Sequence, residues 1–317
     1  MKMIQSPFIT AFCRRLCALG MSVVGLCMAL TCLIGCKGPA FVADARKSAS
    51  GPVRKHPDNP HYFYYKGQPL VLITTDQHYG AVINLDFDYL PFLDRLREYG
   101  MNLTRIYPGA YVEMKDQYAK GNPLGPAPGR YILPWKKSTV SGANTNLGVC
   151  KYDLDTWDEE YFKRLKDYVR QASLHDIVVE IAFFNGMYDD RWPAQPLYHL
   201  NNIQGVGTCE FRQYTTLADK PLVEAQLRYV KKIASELIEF DNLIYDISDE
   251  PEMQGQDSWA WNSAMLDALI SVDHYKHLYG ETAHSATPDF TKDRRTSWLP
   301  TEYISPMEMT LDTNYMD

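Results

Sequence analysis

The order of apolar and polar positions predicts strands and helices that alternate along the chain. Apolar runs typical of strands cover residues 69–75, 102–107, 177–184 and 242–248. Helices are predicted at residues 88–99, 221–240 and 259–272. A further helix is predicted to begin at a cap formed by Asp155 or Thr156 and to end at His175. Because the strands are almost wholly apolar, the pattern indicates a parallel sheet covered by helices.

Two long polar stretches, residues 108–153 and 185–220, each follow a predicted strand and not a helix. In a (β/α)8 TIM barrel such insertions meet at the carboxyl-terminal face, where active sites lie. A doubly wound, nucleotide-binding sheet is the alternative, but no G-x-G-x-x-G motif follows any strand. The sequence therefore favours an α/β protein of the (β/α)8 TIM-barrel type.

The amino terminus has the pattern of an export signal. Arg14 and Arg15 precede an apolar run at residues 16–33, which is also long enough to be an uncleaved membrane anchor. The run ends in Leu33-Ile-Gly-Cys36, which resembles the bacterial lipobox, and this resemblance implies that Cys36 carries a lipid. Lys37, and not Asp, follows the cysteine, which by analogy favours sorting to the outer membrane or the cell surface.

These features predict three segments. Residues 1–35 are a lipoprotein signal peptide, residues 36–58 are a polar tether, and residues 59–317 are the folded domain. The expected protein is an exported bacterial lipoprotein that contacts the membrane through its amino-terminal lipid anchor.

Composition narrows the partners and cofactors. The formal net charge is -7, and because an acidic surface repels phosphate backbones we expect no nucleic-acid partner. Of the seven cysteines, only Cys150 and Cys209 lie outside the predicted leader and lipid site, and a single bridge between them is compatible with an oxidising compartment. His175, His199 and His274 lack metal-type spacing with acids, so we predict no metal and no other cofactor.

A run of acids, Tyr245-Asp-Ile-Ser-Asp-Glu-Pro251, closes the predicted fourth strand. A carboxylate such as Glu250 at a strand end faces the barrel mouth, where partial burial suits it to proton donation. The alternative is that these acids cap a helix or solvate the strand end. Arg105 ends the second strand and Asn185 ends the third, and a structural salt bridge is an equally good interpretation of Arg105.

Asp249-Glu250-Pro251 resembles the Asn-Glu-Pro signature of the large retaining glycoside hydrolase clan that includes the family five cellulases and mannanases. Residues 61–73, 102–111 and 240–251 resemble segments of the same group, and the likeness covers roughly residues 57 to 285. The resemblance implies a cellulase-like (β/α)8 barrel in which Glu250 is the general acid/base. It also implies that Arg105 contacts the nucleophilic carboxylate and keeps it ionised.

A carbohydrate substrate is a further implication of this resemblance, since polar groups at strand ends suit sugar hydroxyls. The candidate substrate-binding residues are Asp249, Arg105, His78, Tyr79, Asn185 and Tyr111. Six aromatic residues are candidates for stacking on sugar rings, with core or loop packing as the alternative, namely Trp135, Trp192, Tyr107, Tyr111, Trp259 and Trp261. Asp249 stands where the clan usually has Asn, and an ionised carboxylate cannot donate a hydrogen bond to a sugar.

The second carboxylate of the clan, its nucleophile, ends the seventh strand. Beyond residue 272 only residues 277–283 and 302–305 have strand patterns, so we expect an incomplete barrel of about six β/α units. Glu281, Glu302 and Glu308 are substitutes that the pattern does not favour, and we expect the nucleophile to be missing.

Three functions are consistent with these observations. The first is a retaining glycoside hydrolase that acts on O-glycosidic bonds of a poly- or oligosaccharide. The second is a carbohydrate-binding surface lipoprotein without turnover, and the third is an inactive, truncated gene product.

Overall fold

The computed structural model describes residues 51–59, 62–74, 80–113, 125–142, 147–148, 150–186, 189–249, 258–274 and 276–282. Four of the predicted functional residues lie outside these ranges, namely Cys36, His78, Tyr79 and Glu250. The predicted signal peptide and the predicted strand at residues 302–305 lie outside them as well.

The strands are β1 (Arg54–Lys55), β2 (Phe63–Tyr65), β3 (Gln68–Leu70), β4 (Leu103–Ile106), β5 (Trp135–Ser141), β6 (Cys150–Trp157), β7 (Val178–Asn185), β8 (Leu243–Asp249) and β9 (Leu278–Thr282). The helices are α1 (Tyr89–Glu98), α2 (Glu159–Leu174), α3 (Lys220–Leu237) and α4 (Trp259–Asp273), with short 3₁₀ helices at Trp192–Ala194 and Phe211–Gln213. Strands β4, β7, β8 and β9 form a parallel sheet in that order. The predicted strands at residues 102–107, 177–184, 242–248 and 277–283 are confirmed.

The two faces of this sheet meet different partners, because successive side chains of a strand point to opposite sides. Thr104 of β4 forms a 2.8 Å hydrogen bond with the Tyr168 hydroxyl of α2, so its face is the one that the helices cover. Leu103, on the opposite face, packs with Val178 and Ile244 of the neighbouring strands, and the amino-terminal residues Val53 and Phe63 complete this second core.

Aspartates fix the starts of three helices, since a side-chain oxygen accepts from a backbone N–H that has no partner within the helix. Asp88 accepts from Leu90 N at 3.1 Å in α1, and Asp219 accepts from Leu222 N at 3.1 Å in α3. The cap predicted for α2 is wrong: β6 continues to Trp157, and Asp158 is the capping residue.

The segment predicted as the first parallel strand, residues 69–75, has a different structure over its described part. Its start lies in β3, which pairs antiparallel with β2, and residues 71–74 belong to no strand. The side chain of Asn102 takes hydrogen bonds that a neighbouring strand would form: its Oδ1 accepts from Ile73 N at 2.7 Å and its Nδ2 donates to Val71 O at 2.8 Å. Two hydrogen bonds to this segment therefore come from the Asn102 side chain, and the Asn102 backbone N–H donates a third to Ile73 O at 3.0 Å.

Two further segments are more ordered than their composition predicts. The stretch at residues 108–153, predicted to be an irregular insertion, contains most of the antiparallel pair β5–β6. The strand pattern in the sequence is weak here because β5 is mostly exposed and carries Lys136 and Lys137. The predicted tether, residues 36–58, includes the buried Val53 and strand β1, so the fold begins before residue 59.

Two findings concern the predicted anchor and the predicted bridge. Within the ranges that the structure describes, every helix is too short or too polar to cross a membrane. Cys150 and Cys209 are both free thiols, so the bridge that the sequence allows is not formed in this structure.

Candidate functional site

The site is centred on Arg105 of β4, whose guanidinium is buried and contacts carboxylates of β7, its neighbour in the sheet, and of β8, the next strand beyond β7. Its Nε lies 3.4 Å from Glu180 Oε1 of β7, and its second terminal nitrogen donates to Asp246 of β8. Its first terminal nitrogen donates to Asp249 Oδ1 at 3.3 Å. The pairing register aligns Arg105 with Glu180, so the sheet itself brings these groups together.

One guanidinium thus faces three carboxylates in a region that is almost closed to water. Burial alone would lower the pKa of Arg105, but the negative charges of Asp249, Glu180 and Asp246 raise that pKa well above its ordinary value. Arg105 therefore stays charged. A buried charge needs partners of opposite charge, and the three carboxylates supply them. Among the contacts of the described residues, three acids therefore share one base.

Tyr107 completes the hold on Asp249. Its hydroxyl donates to Asp249 Oδ2 at 2.5 Å, while Arg105 contacts the other carboxylate oxygen, so both oxygens of Asp249 are engaged. The Asp249 main-chain oxygen accepts from Gly186 N at 2.6 Å. The last residue of β8 is therefore fixed through its side chain and its backbone.

Of the predicted substrate-binding residues, the structure brings four to this end of the sheet. Asn185 ends β7 in register with Asp249, and it is buried. Tyr111 is also buried, and its ring meets the Tyr107 ring edge-on with centroids 5.4 Å apart. Arg105 and Asp249 contact each other directly, and Glu250 is the next residue in the chain.

Sequence reasoning missed Glu180 and Asp246 as members of the site. Each is a single acid within an apolar strand that is otherwise buried, at residues 177–184 and 242–248. A buried carboxylate needs a partner of opposite charge. A single acid in an apolar strand is therefore the feature of the sequence that could have identified both residues. Arg105 is likewise a single base within the apolar strand at residues 102–107, and it is the partner of both acids.

Three of the four tryptophans proposed for sugar stacking, Trp135, Trp192 and Trp261, are buried in the core. Trp135 stacks on Trp157 with ring centroids 6.3 Å apart, and it also contacts Tyr229 of α3. The indole nitrogen of Trp261 donates to Gln226 Oε1 at 2.8 Å. These contacts correspond to the packing alternative for Trp135, Trp192 and Trp261.

No metal site can be assigned from the side chains that the structure describes. Over those residues, no group of three or more His, Cys, Asp or Glu side chains is arranged to hold a metal ion. The chemistry available at the strand ends is therefore that of carboxylates, a guanidinium, an amide and phenol hydroxyls.

No protein-family model and no curated protein matches the chain by sequence. Solved structures do match: a candidate glycoside hydrolase from Bacteroides vulgatus is 18% identical with a TM-score of 0.52, over 77% of this chain and 40% of that one. A family 5 glycoside hydrolase from the same organism is 14% identical with a TM-score of 0.46, over 78% of this chain and 43% of that one. An endo-1,4-β-mannanase from Rhizomucor miehei is 12% identical with a TM-score of 0.47, over 73% and 60%.

At this level of identity the likeness concerns the fold alone, and of these three structures the first has a TM-score above 0.5. The chain spans 40% of the length of that structure. Taken with the parallel sheet and its covering helices, the likeness shows a fold of the glycoside hydrolase (β/α)-barrel type, whose strands do not close into a barrel over the described residues.

Proposed function

We propose that this protein is a glycoside hydrolase that acts on O-glycosidic bonds of a poly- or oligosaccharide, with Glu250 as the general acid/base. The observation that carries the proposal is the double hold on Asp249, the residue before Glu250, by Arg105 and Tyr107. The carboxyl ends of β4, β7 and β8 form the sugar site in this proposal, at the face where barrels of this type bind their substrates.

The fixed end of β8 supports the role of Glu250 on physical grounds. A general acid works only within hydrogen-bond reach of the leaving oxygen, so its backbone must be held to a fraction of an ångström. Asp249 supplies that fixed point, because its carboxylate and its main-chain oxygen are all bonded to groups on neighbouring segments.

The proposed mechanism is retaining, which requires a second carboxylate about 5–5.5 Å from the acid. Glu180 and Asp246 are buried around Arg105, and each contacts its guanidinium. A carboxylate in that position is held by its counter-charge and is closed to a sugar, so we assign the nucleophile to neither. The expectation that the nucleophile is missing therefore stays a prediction.

A carbohydrate-binding protein without turnover is the second candidate, and the occupation of Arg105 favours it. In the family resemblance this arginine contacts the nucleophile, whereas here its three nitrogens are engaged by acids of β7 and β8. Both candidates place a carbohydrate at the same strand ends.

Both candidates are also compatible with a lipid on Cys36 that holds the protein at the outer membrane or cell surface. Intact-mass analysis of the mature amino terminus would test for this lipid.

The Glu250→Gln variant distinguishes the two candidates. Wild-type protein and variant are assayed on neutral β-linked oligosaccharides and on aryl glycosides, with binding measured in parallel by calorimetry. Glu224→Gln, an exposed substitution on α3, is the matched control. Wild-type turnover that falls about 100-fold or more in Glu250→Gln but not in the control supports the enzyme, on the usual scale for a lost general acid.

Two other outcomes contradict the proposal. Turnover that survives in Glu250→Gln rules out Glu250 as the acid/base. Sugar binding by wild-type protein without any turnover favours the second candidate.

A further inference from the structure

A second buried group of polar residues lies at the amino-terminal end of the parallel sheet, away from the candidate sugar site. His277 immediately precedes β9, and Asp273 ends α4. His277 Nδ1 lies 2.5 Å from Asp273 Oδ1, and His277 Nε2 lies 2.6 Å from the main-chain oxygen of Phe240 in the turn between α3 and β8. Both side chains of the pair are fully buried.

Both neighbours of the imidazole ring are hydrogen-bond acceptors. A carbonyl oxygen only accepts, and Asp273 already accepts from the His277 backbone N–H at 2.9 Å and from the Tyr279 hydroxyl through its other oxygen. A neutral imidazole has one N–H and one lone pair, so either tautomer would turn a lone pair toward an acceptor. With Asp273 ionised, only the doubly protonated ring satisfies both contacts.

We propose that His277 is a buried imidazolium, and that this charge is a pH-sensitive lock joining the end of α4 and the start of β9 to the turn between α3 and β8. The lock holds strand β9 against β8, the strand that carries Asp246 and Asp249. It is a property of the fold and does not depend on the proposed function.

The charges around the ring balance only when the ring is protonated. On α4 and β9 the facing groups are Asp273 and Tyr279, and on β8 the Tyr245 ring meets the imidazole edge-on with centroids 5.3 Å apart. At the turn, Lys276 Nζ donates to Phe240 O at 3.1 Å and pairs with Asp241 at 3.0 Å. Lys276 is thus offset by Asp241, which leaves His277 as the counter-charge of Asp273.

The lock depends on the charge of Asp273. Burial alone would raise the pKa of Asp273, but the hydrogen bonds and charge of His277 outweigh it and lower that pKa. The stabilisation from Asp273 is therefore present above the ordinary carboxyl pKa and is lost as the pH falls through the lowered value. A ring with a single N–H would set one acceptor against another and leave the buried charge of Asp273 without a counter-charge.

Nuclear magnetic resonance of the full chain labelled with ¹⁵N-histidine tests the charge directly at pH 7. The expected result is one buried histidine with protons on both ring nitrogens, whose signals disappear in His277→Gln and remain in His274→Asn. His274 is the control because it is exposed and has a left-handed backbone, which Asn tolerates. A His277 ring with a single N–H at pH 7 would overturn the proposal.

Thermal unfolding from pH 7 to pH 3 tests the lock. We expect the midpoint of the wild-type protein and of His274→Asn to fall more steeply with falling pH than that of His277→Gln, because His277 is what lowers the pKa of Asp273, and equal slopes would contradict the proposal. Should His277→Gln fail to fold, Tyr279→Phe serves instead. It removes one donor to Asp273 but keeps both ring contacts, so it should retain the steep slope, and a loss of that slope would count against His277.

Discussion

Tyr107 and Asp249 join two strands that are not neighbours. Tyr107 directly follows β4, Asp249 ends β8, and β7 lies between these strands in the sheet. The 2.5 Å hydrogen bond from the Tyr107 hydroxyl to Asp249 Oδ2 therefore crosses the intervening strand. It ties the carboxyl-terminal ends of three strands into one unit next to Glu250.

Tyr107→Phe should destabilise the protein by about 1.5–3 kcal/mol, the usual range for a hydrogen bond to a charged group. The substitution removes only the hydroxyl and leaves the ring packing against Tyr111. Urea unfolding measures the change, and Tyr99→Phe is the control because Tyr99 is exposed. Equal stability of the two variants would show that this hydrogen bond contributes nothing.

Arg105→Met should destabilise the protein by about 3–5 kcal/mol, because removing one partner of a buried ion pair leaves charge without compensation. Here three carboxylates lose their shared cation. Arg97→Met on the exposed surface of α1 gives the background effect of the same replacement. Chemical unfolding of both variants makes the comparison, and a difference below 1 kcal/mol, on the scale of an exposed pair, would contradict the structure.

Glu236 gives a pH-dependent prediction. Burial would raise the pKa of Glu236, but hydrogen bonds from Lys166 at 2.6 Å and Lys232 at 2.5 Å outweigh this effect and lower it. A lowered pKa stabilises the fold above the ordinary carboxyl pKa, and this contribution disappears as the pH falls through the lowered value. Wild-type protein should therefore exceed Glu236→Gln in stability at pH 7, with the gap closing toward pH 3. A gap that stays constant with pH would contradict the pairing, and Glu224→Gln should show no such gap.

The sequence predicts the parallel strands well, because buried strands leave continuous apolar runs. It also predicts that Arg105, Asn185 and Asp249 meet, since they stand at the ends of such strands. The partners of Arg105 could not be predicted in the same way, because strand register depends on packing between distant segments. The hairpin β5–β6 was missed since its exposed Lys-rich strand lacks an apolar pattern. The tryptophans were ambiguous because composition does not separate a stacking face from a core face.

The carboxylates around Arg105 lead to a prediction about the sugar. Three carboxylates surround one guanidinium, and Asp249, whose oxygens only accept, is the most exposed of them in its side chain. Neutral oligosaccharides, which offer hydroxyl donors, should bind more tightly than uronic-acid oligosaccharides of equal length. Because salt screens charge repulsion, raising the ionic strength should strengthen uronate binding and leave neutral binding unchanged. Calorimetry at low and high salt measures both: equal affinity for the two sugars at low salt would refute the electrostatic argument, whereas no binding of either sugar would count against the carbohydrate site itself.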